Sequence, residues 1–249
     1  MISTTLMEKL LQLRLPAFRD GLREQVSNPQ YAQLSFEDRL LLLVELECTR
    51  RLDSRTKRRL KLAEFPMRST VEDLDFSPER GLERRLVLEL AQCTWVDKAL
   101  NVLVSGATGT GKSFVACSLG TAAIRLGYTV RYFHTARFLL SLNRARQDGS
   151  YLNLLRSLSR TDVLILDDWM RDPIQLSGAQ DLLEVFDDRF GKSATIIISQ
   201  VPVSGWHARF PDPTLADAIL DRTVHNAYTL ALLGDSQRKL RGFRTMSHT

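Results

Sequence analysis

The sequence predicts an α/β fold, a parallel sheet covered by helices, behind a small all-helical N-terminal domain. Three observations carry this. From residue 101 onward, short apolar, β-branched runs alternate with segments of helical period, the pattern of strands buried on both faces. A glycine-rich string, Gly106-Ala107-Thr108-Gly109-Thr110-Gly111-Lys112-Ser113, lies between the first of these strands and the first of these helices. The first 62 residues hold no strand-like run at all.

Leu6, Leu10, Leu13 and Leu15 give a first helix an apolar face, and Pro16 closes it. Phe18, Leu22 and Val26 suit a second helix ending near Asn28-Pro29. Ser35-Phe36-Glu37-Asp38 is a helix start, followed by the apolar run Leu40 to Leu46. That helix is expected to continue, with or without a break, through a basic stretch to Leu62, and Phe65-Pro66 ends it. Met67 to Arg80, with Asp73, Asp75 and Pro78, reads as an extended linker, and a helix from Leu82 to Cys93 follows. The boundaries expected are therefore 1–66 for the helical domain, 67–98 for linker and connecting helix, and 99–249 for the core. In the core, strands are expected at 101–105, 128–133, 163–166, 194–199 and 227–232. Helices are expected at 112–126, 135–147, 151–159, 177–190 and 214–222.

The glycine string has the form G-x-x-x-x-G-K-[ST], a phosphate-binding loop. Its glycines let backbone N–H groups from Gly106 through Phe114 wrap a phosphate. Lys112 is placed to reach the β- and γ-phosphates, and the Ser113 hydroxyl to join a Mg²⁺ shell. The strand at 163–166 ends in Asp167-Asp168, four apolar residues and then an acid. In that position Asp167 would hold Mg²⁺ and Asp168 would act as catalytic base. Gln200, after the strand at 194–199, would sit beside the γ-phosphate, orient water and sense the phosphate. Arg222, at the end of a helix, is placed either to protrude into a neighbouring subunit or to pair locally with Asp221 or Asp217.

The net charge is +5 and the sequence pI about 9.3, so the distribution of charge says more than the total. Seven bases (Arg50, Arg51, Arg55, Lys57, Arg58, Arg59, Lys61) face one acid, Asp53, between residues 50 and 61. A helix carrying them has the electrostatic footprint of a nucleic-acid binder. Arg144 and Arg146 are further candidates for DNA, and Arg238, Lys239, Arg241 and Arg244 form a second cluster. No apolar run approaches a membrane span, and the N-terminal segment reads as an amphipathic helix, not a signal peptide. Three widely spaced cysteines in no metal or C-x-x-C pattern suit a reduced, cytoplasmic protein.

The string Asp212-Pro213-Thr214-Leu215-Ala216-Asp217-Ala218-Ile219-Leu220-Asp221-Arg222, followed by Val224-His225-Asn226-Ala227, resembles the IstB-like ATPases, helper proteins of insertion-sequence transposition. Gly106 to Ser113, Leu164 to Trp169, Ser199-Gln200-Val201-Pro202, Gly234-Asp235-Ser236-Gln237-Arg238, Leu10 to Leu15, Glu45 to Leu62 and Phe65-Pro66 fit the same family. The resemblance implies an AAA+ P-loop fold close to the DnaC-type helicase loaders. It implies ATP with Mg²⁺ at the interfaces of a homo-oligomer, DNA-stimulated ATP hydrolysis, and assembly on double-stranded target DNA. It also implies recruitment and stimulation of the transposase encoded by the same element. Lys112 and Ser113 then correspond to Walker A, Asp167 and Asp168 to Walker B, Gln200 to sensor 1 and Arg222 to the arginine finger. Two departures stand out: Met170 occupies a position where glycine is common, and Gln200 one where asparagine is common. The 27 residues after Arg222 are too few for a helical lid. A replicative helicase loader of the same fold is the alternative. The acid pair and Arg222 speak against a monomeric small-molecule kinase.

Overall fold

A computed structural model describes residues 2–235, so the Arg238, Lys239, Arg241 and Arg244 cluster and the end of the Gly234–Arg238 box lie outside the described residues. Two compact units separate, one ending at Arg58 and one beginning at Arg59.

The first unit holds α1 (Thr4–Gln12), α2 (Pro16–Ser27) and most of α3 (Phe36–Ala63). Pro16 opens α2, where its missing N–H costs nothing. The next two N–H groups, of Ala17 and Phe18, donate to the Glu47 carboxylate at 2.9 and 3.3 Å. A buried anion thus sits at the positive end of α2. Ser35 caps α3, its Oγ accepting from Asp38 N at 3.1 Å while donating to the Asp38 carboxylate at 2.6 Å. α3 runs unbroken to Ala63. Of the apolar run Leu40 to Leu46 only Leu43 is buried. Gly21 lets α2 and α3 approach closely, since a Cβ there would meet Leu46 at 2.8 Å and Leu43 at 2.9 Å.

The second unit is built on five parallel strands: β1 (Asn101–Gly106), β2 (Val130–His134), β3 (Val163–Trp169), β4 (Ala194–Ser199) and β5 (Ala227–Leu232). Their spatial order is β2-β3-β4-β1-β5, and every pairing is parallel. Eight of the strand residues that alternate along β1, β3 and β4 explain the two layers. Val102, Val104, Ile165, Ile196 and Ile198 face one apolar cluster, and Leu103, Leu164 and Ile197 face another. The first is covered by α4 (Arg84–Ala91), α5 (Thr94–Asp97) and α6 (Lys112–Arg125). The second is covered by α7 (Thr135–Asp148), α8 (Tyr151–Ser159), α9 (Leu176–Arg189) and α10 (Pro213–Val224). The stretch read as an extended linker carries two 3-10 turns, Val71–Asp73 and Pro78–Arg80, and α4 starts at Arg84 instead of Leu82. The C-terminal ends of β1, β3 and β4 therefore lie side by side, where open parallel sheets place their ligands.

Candidate nucleotide-binding site

The glycine string forms the turn from β1 into α6. Gly106, Gly109 and Gly111 have φ of +146°, +84° and +93°, a region that side chains rarely occupy. Gly106 has a second reason to lack a side chain, because a Cβ there would collide with the Leu232 carbonyl at the end of β5. Gly111 caps α6, which has no acid in its first turn, so the positive end of the helix is free to face an anion. Lys112 is buried, and its Nζ donates to the Ala107 carbonyl across the loop at 2.8 Å.

Asp167 lies beside the loop, 4% exposed. Its Oδ2 accepts from Ser113 Oγ at 2.5 Å and from the Tyr132 hydroxyl at 2.6 Å, and its Oδ1 from Asp168 N at 2.7 Å. Burial first, and then the hydrogen bond to Asp167, push the Tyr132 phenol far above its ordinary value, so it stays a donor at any physiological pH. Burial likewise raises the Cys117 thiol to about 12, which makes this cysteine inert. A hydroxyl touching a carboxylate beside a phosphate loop is the hard oxygen pair that Mg²⁺ favours. Among the described residues no group of three or more His, Cys, Asp or Glu could hold a metal unaided. The remaining ligands would be phosphate oxygens and water, and the residues present fit that.

Asp168 is turned away from Asp167 by an irregularity in β3. Leu166 pairs with Ile197 but Trp169 with Ser199, so three steps on β3 oppose two on β4, a bulge of the kind that re-aims a side chain. Asp168 has φ +57°, and Met170 repeats that value. The left-handed turn that a glycine would make freely is therefore made here by a fully buried methionine. The Asp168 carboxylate meets Arg171 Nη1 at 3.3 Å and His134 Nδ1 at 3.7 Å. Gln200 Oε1 accepts from Thr108 Oγ1 at 2.6 Å, which places Gln200 against the loop. Ser199 Oγ braces the bulge by donating to the Trp169 carbonyl at 2.7 Å. The loop, both aspartates and Gln200 line one cavity of about 420 Å³. Met67, Leu74, Arg80 and Leu82 line it as well.

Arg222 lies elsewhere. Its carbonyl accepts from Asn101 Nδ2 at 3.0 Å, at the start of β1, whereas the loop follows the end of that strand. Its guanidinium pairs with Asp187 of α9 and donates to Ala218 O, not to Asp217 or Asp221. Those two acids face His207 and His225 instead.

The basic residues divide into two groups. Arg50 and Arg51 hold Glu47 at 2.6 and 3.0 Å, and Arg146 holds Asp181 at 2.6 Å and Glu184 at 3.1 Å while stacking on the Tyr151 ring. Arg55, Lys57, Arg58, Lys61 and Arg144 are exposed and Arg59 half-buried. Tyr132 and Arg80 were not marked by any motif. Strand alternation alone would have turned Tyr132 inward, and nothing in the sequence singled out Arg80.

A family model described as IstB-like ATP binding protein matches residues 8–244. The chain belongs to this family. The insertion sequence ATP-binding protein y4pL of Sinorhizobium fredii (strain NBRC 101917 / NGR234) is 41% identical over 239 residues, 96% of this chain and 98% of the relative. The insertion sequence IS1162 ATP-binding protein of Pseudomonas fluorescens is also 41% identical, over 219 residues, 86% of this chain and 95% of the relative. Among solved structures, AMPPCP-bound DnaA from Aquifex aeolicus aligns with a TM-score of 0.59 at 16% identity, covering 74% of this chain and 56% of that one. The DnaC helicase loader aligns at 0.53 and 14% identity, covering 70% of this chain and 99% of the loader. At these identities the likeness establishes the fold, the AAA+ P-loop fold. Among the described residues no helix is long and apolar enough to cross a membrane.

Proposed function

We propose that this IstB-like protein is an ATP-hydrolysing transposition helper. It assembles on duplex target DNA, recruits and stimulates the transposase encoded by its own element, and hydrolyses ATP at subunit interfaces. The observation that carries this reading is the gathering of Lys112, Ser113, Asp167, Asp168 and Gln200 around one glycine loop, with Arg222 anchored at the opposite end of β1. Loop N–H groups and Lys112 bind the phosphates, and the α6 N-terminus favours their charge. Ser113 and Asp167 would hold Mg²⁺, which would supply positive charge to offset that of the phosphates. Asp168, whose partly exposed carboxylate meets Arg171 and His134, accepts a proton from the attacking water, and Gln200 orients that water. Arg222 serves the nucleotide of a neighbouring subunit.

In this reading residues 1–66 grip DNA and the partner protein, 67–98 connect, and 99–249 form the engine. The exposed bases of α3 without an ion pair among the described residues (Arg55, Lys57, Arg58 and Lys61), together with Arg59 and Arg144, contact phosphates with little base selectivity. Insertion-sequence names on relatives 41% identical over nearly their full length support a helper over a helicase loader. The test is ATP turnover with and without duplex DNA, for the natural chain and for one with Arg55, Lys57, Arg58 and Arg59 neutralised. Duplex should stimulate the former. The variant should keep its DNA-independent turnover, lose stimulation, and show a log–log salt slope of binding shallower by about 0.9 per lost phosphate contact. A natural chain that neither binds nor responds to duplex would refute the DNA reading.

A further inference from the structure

Tyr132 and Asp167 meet because the sheet puts them on one face. β2 and β3 keep a regular parallel register from Val130 opposite Val163 to His134 opposite Asp167, so Tyr132 lies opposite Ile165. Residues two apart on a strand share a face, which turns Tyr132, Ile165 and Asp167 the same way, toward α6 and its Ser113. Ser113 and Asp167 line the nucleotide cavity, while Tyr132, 4% exposed, reaches the same carboxylate from within the core. The Tyr132 ring packs edge-on against Phe65, with 6.5 Å between centroids, and against His134 at 5.4 Å. Gly120 of α6 makes room for Phe65, since a Cβ there would come within 2.8 Å of its Cζ.

An aspartate carboxylate turns about a broad, roughly two-fold torsion, so the backbone alone leaves its orientation loose. In Asp167 each oxygen carries a donor from outside the pair that would hold the metal. The Tyr132 hydroxyl donates to Oδ2 at 2.6 Å, and the Asp168 N–H to Oδ1 at 2.7 Å. An ionised carboxylate only accepts, so both bonds run toward Asp167. The third donor, Ser113 Oγ on Oδ2, belongs to the metal pair itself and cannot serve as its brace.

We propose that Tyr132 is a positioning residue for Mg²⁺: its hydroxyl on one oxygen, with the Asp168 N–H on the other, holds the Asp167 carboxylate in the orientation that receives the metal together with Ser113. This rests on the ATP-binding reading above and on Ser113 and Asp167 as the Mg²⁺ pair. Tyr132 contacts neither metal nor nucleotide and acts through Asp167.

The experiment measures the affinity of a fluorescent ATP analogue in EDTA and again in saturating Mg²⁺, for the natural chain, Tyr132→Phe and Asp167→Asn. By linkage, the ratio of the two affinities is the factor by which the protein strengthens metal binding to the nucleotide. Tyr132→Phe keeps the ring and loses the hydroxyl alone. It should bind the analogue in EDTA as the natural chain does, while its ratio falls about ten-fold, the usual cost of losing a donor behind a metal ligand. Asp167→Asn should lower the ratio at least as far. A ratio unchanged or raised in Tyr132→Phe, with that of Asp167→Asn lowered, would overturn the proposal. So would a Tyr132→Phe chain that no longer binds in EDTA, which would make Tyr132 a support of the whole loop. A ratio that does not respond to Asp167→Asn would instead overturn the reading of Asp167 as a metal ligand. A natural chain that binds no analogue would overturn the ATP-binding reading itself.

Discussion

If Arg222 acts on a neighbour's nucleotide, two dead variants should restore each other. The carbonyl of Arg222 is tied to Asn101 at the start of β1, and the loop begins at Gly106, five residues further along a strand rising ~3.3 Å each, so about 17 Å away. An arginine side chain spans less than half of that, and this one points to Asp187. It cannot reach the phosphates of its own subunit. Releasing a partly exposed pair with Asp187 costs about 0–1 kcal/mol, whereas an arginine on the transferring phosphoryl is worth ~10³ in rate, about 4 kcal/mol. The exchange is therefore favourable, and Asp187→Asn should not slow turnover. Arg222→Ala should bind ATP normally and turn over at about a thousandth of the natural rate. Asp168→Asn should bind ATP and not hydrolyse it. Mixed in equal amounts before ATP and DNA are added, random assembly gives about one quarter of interfaces an intact loop facing an intact arginine. Steady-state phosphate release should rise to about that fraction of the natural rate. Tagged copies would confirm that subunits had mixed. A mixed assembly no more active than its components would refute an arginine acting in trans.

Two further outcomes concern stability. Hydrogen bonding from Arg50, with smaller help from Arg51, Phe18 and Ala17, lowers the Glu47 carboxyl to about 2. A folded value below the unfolded one means the stabilisation is complete above about pH 4.3 and is lost as pH falls toward 2. Glu47→Gln should cost the first unit about 1–2 kcal/mol at pH 7, discounted for the half-exposed arginines, and should flatten its pH dependence between 5 and 2. Urea melts followed by circular dichroism would show a slope unchanged by the substitution if the assignment fails. Met170→Gly should relieve about 1 kcal/mol of left-handed backbone but remove a buried side chain worth ~2–5 kcal/mol. The net should be a destabilisation of about 1–4 kcal/mol in calorimetry, and a variant more stable than the natural chain would show that the backbone dominates.

What was legible depended on how local its signal was. The loop, the acid pair and Gln200 each end a strand whose apolar run is visible in a few residues, so their position at one sheet edge follows from the pattern. The alternation of β1, β3 and β4 is similarly local. Residues 67–80 look like a connector in sequence because Asp73, Asp75 and Pro78 signal only turns. Their partner, Thr110, lies 30 residues beyond Arg80, and no spacing reveals that contact. The same distance hid the partners of the bases: Asp181 and Glu184 for Arg146, and Asp187 in place of Asp217 or Asp221 for Arg222. Met170 was visible as a missing glycine. That the backbone would keep the left-handed turn regardless was not, because the packing around the buried side chain decides it.

If Arg222 serves a neighbour's nucleotide as proposed, its attachment to the foot of β1 fixes the symmetry available to an active assembly. A subunit that receives an arginine at the top of its sheet and offers one from the bottom must join its neighbours head to tail. A two-fold dimer would face loop against loop and leave both without a guanidinium. Heterologous contacts either close into a ring or continue as a helical filament. In a ring every loop is served. In an open filament one terminal subunit always holds nucleotide that nothing completes, so it keeps its ATP while interior subunits turn over. Such an end would be chemically distinct from the other, and an assembly wound on DNA would carry a direction.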